Sequence, residues 1–128
     1  MNKTILLVDD DLDYLFQLRM KIEQFGYKTV TAESQKEAEA LIESVKPDLA
    51  VLDLMMEKED SGFILCYKIK KKYPEVPIII VSGVAAETGI LFDIHDESNR
   101  KWIKADCFLE KGVRSDLLKQ EIERLIKK

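Results

Sequence analysis

A chain of 128 residues, 46% apolar and 34% charged, has the size and balance of one globular domain able to bury a core without disulfides or structural metal. Twenty basic against 24 acidic side chains leave a net charge of −4, which argues against a nucleic-acid binder. Two distant cysteines, Cys66 and Cys107, and an apolar start that breaks at Asp9 point to a cytoplasmic protein with free thiols, no secretory leader and no membrane insertion.

"TILLV" (4–8) is a short unbroken apolar run, the pattern of a strand buried on both faces. The period then changes. Leu15, Leu18, Ile22 and Phe25 recur at helical spacing from residue 12 onward, and Gly26 stops the helix. "KTVTA" (28–32) is a second strand. Ser34 with Glu37 three residues on forms a capping box for a helix over 34–45, whose stripe is Ala38, Leu41, Ile42 and Val45.

"LAVLDL" (49–54) is a third strand, with Asp53 at its end. A polar loop, "MMEKEDSG", leads to a helix from about Phe63 to Tyr73. "PIIIVS" (77–82) is a fourth strand. Residues 83–105 hold one or two short helices around the polar "HDESN". "DCFLEK" (106–111) is a short fifth strand. A last helix over 115–128 places Leu117, Leu118, Ile122, Leu125 and Ile126 on one face. Buried strands alternating with amphipathic helices predict an α/β fold, a doubly wound parallel sheet covered on both sides. One domain over 1–128 is expected, with no output domain.

In such a sheet, functional groups collect beyond the carboxyl ends of the strands. There lie Asp9 and Asp10 after strand one, Asp53 on strand three, Ser82 on strand four and Lys111 after strand five. Three carboxylates at one edge repel each other, and a divalent cation relieves that. An all-oxygen set suits Mg²⁺. A carboxylate in this setting can accept a phosphoryl group, with the lysine and hydroxyl holding its oxygens.

These residues, in this order, resemble a receiver domain of the two-component response regulators, over the whole chain. The resemblance implies a flavodoxin-like five-stranded sheet of order 2-1-3-4-5. It implies Asp53 in "VLDLMM" as phosphoacceptor, with Asp9 and Asp10 as the acidic pair. Asp10, Asp53 and the Met55 backbone carbonyl would bind Mg²⁺, with Asp9 acting through a metal-bound water. Ser82 in "IIIVSG" and Phe108 in "CFLEK" match the switch residues, and Lys111 the lysine. The implied function is a phosphorylation switch that takes its phosphoryl group from a sensor histidine kinase or phosphotransfer protein. It would signal to a downstream protein through the face of the fourth helix, fifth strand and fifth helix, as a monomer or a switch-dependent dimer. Such a domain catalyses only its own phosphorylation and dephosphorylation.

Three departures stand out. The family usually has proline after the lysine, joined by a cis bond; here Gly112 follows. A cis bond before a non-proline residue costs about 2.5–4 kcal/mol, so a trans bond is expected. The loop after Asp53 is one residue longer than usual, places Glu57 and Lys58 near the site, and closes at Gly62. The stretch from Ser82 to Lys111 is also longer. Two other readings stay open: a phosphatase of the haloacid dehalogenase kind, on the Asp-x-Asp within residues 9–11, and a receiver that binds partners without being phosphorylated.

Overall fold

The computed structural model describes residues 3–54, 61–82, 106–112 and 114–126. The elements run β1 (Thr4–Val8), α1 (Leu12–Gln24), β2 (Lys28–Ala32), α2 (Gln35–Ile42), β3 (Leu49–Asp53), α3 (Ser61–Lys72), β4 (Ile78–Ser82), β5 (Cys107–Glu110) and α4 (Ser115–Ile126). The five strands are all parallel, in the order β2-β1-β3-β4-β5.

Each central strand is apolar throughout because it serves two cores. Leu6, Val8, Ala50, Leu52, Ile78 and Ile80 point to one side, where α2 and α3 bring Ala38, Ile42, Leu65, Cys66 and Ile69. Ile5, Leu7, Leu49, Val51, Ile79 and Val81 point to the other, against Leu15, Leu18 and Ile22 of α1 and Leu118, Ile122 and Leu125 of α4. A run such as "LAVL" therefore shows no alternation of polarity, although its side chains alternate in direction. Each fully buried Leu or Ile contributes about 1.5–3 kcal/mol.

Two aspartates align the strands at their amino ends. The Asp48 N–H donates to the Thr4 carbonyl at 2.7 Å, and its Oδ2 accepts the Thr4 N–H at 2.7 Å. Asp106 repeats this against Ile78 at 2.8 Å in both directions. Parallel strands started in step also end in step, so their carboxyl ends form one edge.

The helix ends follow local chemistry. Asp11 caps α1, accepting the Tyr14 N–H at 3.2 Å. Ser34 caps α2, accepting the Glu37 N–H at 3.0 Å, while Glu37 Oε1 accepts the Glu33 N–H at 2.9 Å. The capping box is thus present, with its return bond shifted one residue outward. α2 stops at Ile42, three residues short of the predicted stripe's end, and α3 begins at Ser61 rather than Phe63. Phe25 lies just past α1 as its C-cap and still packs on the core. Leu117 corrects the predicted face of the last helix: it is 41% exposed, because Leu118, Ile122 and Leu125 already fill the stripe turned to the sheet.

Candidate functional site

Strand register builds the site. Val8 stands beside Leu52, so the next residue of each strand, Asp9 and Asp53, are neighbours. Asp53 pairs with Val81, and Ser82 with Glu110, which puts Lys111 one residue beyond the edge of β5. The Asp9 N–H donates to Ala32 and the Leu54 N–H to Val81, so both backbones stay anchored as they leave the sheet.

Asp9 and Asp53 are 1% and 3% exposed, and they are the buried polar residues among those described. Asp10 is exposed. One carboxylate oxygen from each of the three lies within 4.8 Å of the others. The Lys111 ammonium lies 3.0 Å from Asp9 Oδ2 and 3.5 Å from Asp53 Oδ1. Asp9 Oδ1 accepts the Asp11 N–H at 2.8 Å and the Lys111 ammonium at 3.3 Å. Asp9 Oδ2, despite its nearness to that ammonium, accepts no well-directed hydrogen bond.

One lysine does not balance this cluster. Burial, and then the Asp9 carboxylate, push the Asp53 carboxyl up to about 7, against the opposing pull of Lys111. Burial also works against the Lys111 charge, but Asp9 and Asp53 outweigh it and hold its pKa above the usual value. A hard divalent cation fits the donor set: three carboxylates converge, and one buried oxygen has no directed donor. Asp9, Asp10 and Asp53 are the described residues that would hold it.

The predicted site residues thus come together in part. Asp9, Asp10, Asp53 and Lys111 converge. The Ser82 backbone ends β4 between β3 and β5, on the same edge. Its hydroxyl, the Met55 carbonyl, Glu57, Lys58 and residues 83–105 lie outside the described residues. Phe108 is half-buried on the α2/α3 side, its ring 6.0 Å from that of Phe63 and tilted 48°. The Lys111–Gly112 bond is trans, as expected. Gly112 has φ +92°, a conformation closed to proline, whose ring locks φ near −65°.

Two features of the site go beyond the sequence-based expectation. Gly62 does more than close a turn. Its N–H donates to the Leu54 carbonyl at 2.8 Å, and a Cβ there would lie 2.5 Å from the Asp53 carbonyl oxygen. Tyr14 was not anticipated: the Lys111 ammonium sits 5.0 Å from its ring centroid. Burial lifts the Tyr14 hydroxyl above its usual range, with Lys111 pulling the other way. The available signal was its place in the first turn of α1, four residues after Asp10.

Known proteins resemble the chain in sequence and in fold. The response regulator receiver domain family matches residues 5–123. The chain is 38% identical over 83 residues to the alkaline phosphatase synthesis transcriptional regulatory protein PhoP of Bacillus subtilis, covering 65% of this chain and 34% of that one. It is 34% identical over 119 residues to the transcriptional regulatory protein GlrR of Escherichia coli, covering 93% of this chain and 25% of that one. The matched region is thus 34% and 25% of these two relatives. Among solved structures, a CheY-like receiver domain protein of Methanospirillum hungatei superposes with TM-score 0.80 at 28% identity, covering 99% of this chain and 96% of that one. TrrA of Thermotoga maritima, solved with Mg²⁺ and BeF, gives TM-score 0.78 at 28% identity, covering 96% and 98%. By sequence match and by fold, the chain belongs to the receiver domains of two-component response regulators.

Proposed function

We propose that Asp53 is the phosphoacceptor of a Mg²⁺-dependent signalling switch, charged by a sensor histidine kinase or a phosphotransfer protein. The observation that carries this reading is the convergence of Asp9, Asp10 and Asp53 with Lys111 bridging two of them. An Asp53 carboxylate oxygen attacks the phosphorus, the phosphorus–nitrogen bond breaks, and the electron pair leaves with the donor imidazole. Bound Mg²⁺ would neutralise charge on the phosphoryl oxygens and offset the repulsion among the carboxylates. It would be held by Asp10, Asp53 and the Met55 carbonyl, with Asp9 acting through water. Lys111 and the Ser82 hydroxyl would hold the phosphoryl oxygens. The buried setting makes these charges count for more than they would in water.

Ser82 and Phe108 then carry the switch. Phe108 lies on β5, three residues before the site's lysine, and its ring neighbours that of Phe63 in the first turn of α3. The phosphorylated state favours one of two packings, and the altered face around β5 engages a downstream protein. The chain works in the cytoplasm and acts as a signalling domain rather than on a separate substrate.

The test uses Mg²⁺, acetyl phosphate and intact-mass measurement. A single phosphoryl adduct is expected, lost in Asp53→Asn and lost when the metal is chelated. An adduct that survives Asp53→Asn and maps to Asp9, with turnover of phosphate esters, would replace this reading by a phosphatase. No adduct from acetyl phosphate or any kinase would leave a receiver that binds without phosphorylation.

A further inference from the structure

Among the described residues, the Lys111 ammonium has neighbours of two kinds. Asp9 and Asp53 attract it as carboxylates, at 3.0 Å and 3.5 Å. The Tyr14 ring attracts it through its π face, at 5.0 Å from the centroid. The residue after Lys111 has no side chain of its own to brace the lysine. Gly112 has φ +92°, and nothing lies within 4 Å of where its Cβ would be.

Tyr14, by contrast, is fixed. Its backbone N–H is tied to the Asp11 cap at 3.2 Å, and its side chain packs against the core shared by α1 and α4. The cap that starts α1 therefore fixes the backbone from which the ring projects, and the core packing orients the ring. The three contacts also differ in what phosphorylation does to them. Once Asp53 carries a phosphoryl group and Asp9 serves a cation, both carboxylates have other charges to meet. The face of an aromatic ring keeps its attraction throughout.

We propose that Tyr14 is a positioning residue for Lys111, its ring holding the ammonium over the site while the carboxylates change partners. The proposal rests on the reading of Asp53 as phosphoacceptor. A tyrosine that merely fills space on α1 could be replaced by leucine without consequence for the lysine. A tyrosine that works through its ring could be replaced only by another aromatic residue.

Two measurements separate these outcomes. In the metal-free protein, NMR reads the Lys111 Hε resonances, which the ring current should shift upfield of the other lysines. The shift should persist in Tyr14→Phe and vanish in Tyr14→Leu. The rate of adduct formation with acetyl phosphate and Mg²⁺ should fall roughly tenfold in Tyr14→Leu and stay within about twofold in Tyr14→Phe. Equal rates in wild type and Tyr14→Leu would overturn the proposal. So would an unshifted Lys111 in the folded wild type, a measurement that needs no variant. Absence of any Asp53 adduct in the wild type would instead overturn the phosphoacceptor reading, and the chemical shift would still report the Tyr14 contact.

Discussion

Gly62 shows how one missing side chain shapes the site. An alanine Cβ would lie 2.5 Å from the Asp53 carbonyl oxygen and 2.6 Å from the Leu54 Cα, both backbone atoms that cannot rotate away. Alanine's better helix propensity returns at most about 1 kcal/mol. Gly62→Ala should therefore lose about 1–3 kcal/mol net in urea denaturation, with slower phosphorylation because the clash moves Asp53. An unchanged midpoint would show that the α3 terminus does not press on β3. The cysteines give a second prediction at this scale. Cys66 is fully buried, and burial with the nearby Glu121 carboxylate pushes the Cys107 thiol up to about 11. At neutral pH Cys107 is then almost wholly thiol, the unreactive form. Native protein should resist a thiol reagent that labels both cysteines in denaturant. Glu121→Gln removes a charge that favours the protonated form, so it should speed labelling of Cys107. The meeting of Asp9, Asp10, Asp53 and Lys111 at one edge was legible in the sequence because each lies at or just beyond the end of an apolar strand. Tyr14 was not, because its role depends on a lysine 97 positions away (111 − 14) that only the fold brings near.

Among the elements, α2 depends most on its ends. It has eight residues, below the length at which an isolated helix persists in water. Its first turn is held by Ser34 Oγ on the Glu37 N–H and by Glu37 on the Glu33 N–H. Ser34→Ala should lose about 1 kcal/mol in urea denaturation and raise amide exchange at Glu37. Combined with Glu37→Gln, the loss should be less than additive if the two bonds act as one unit. β1 to β5 and α1 to α3 stand within a few residues of where hydrophobic period and caps put them, because those signals are local. Leu117 was misjudged against a local signal: its partners four and seven residues on, Glu121 and Arg124, are charged, whereas those of Leu118 are the buried Ile122 and Leu125.

At the scale of the whole molecule, the site opposes the stability of the fold that builds it. The sheet brings two carboxylates into a buried edge and supplies one ammonium between them. The Asp53 carboxyl, at about 7 in the folded chain, has its ordinary value near 3.8 once unfolded. Between those pH values the folded state holds a proton that the unfolded state has lost. Stability from this group is therefore full below about pH 4 and declines as pH rises through 7. In EDTA, Asp53→Asn should be more stable than the wild type at pH 8, by about 1–3 kcal/mol or several degrees in Tm, and the gap should close toward pH 4. Saturating Mg²⁺ should raise the Tm of the wild type more than that of Asp53→Asn, because the variant lacks one ligand and much of the repulsion. Melting curves of both proteins, with and without the metal across that pH range, decide it. If Asp53→Asn were the less stable protein at pH 8 without metal, Lys111 would already neutralise the cluster. The fold would then have no electrostatic reason to bind a cation there.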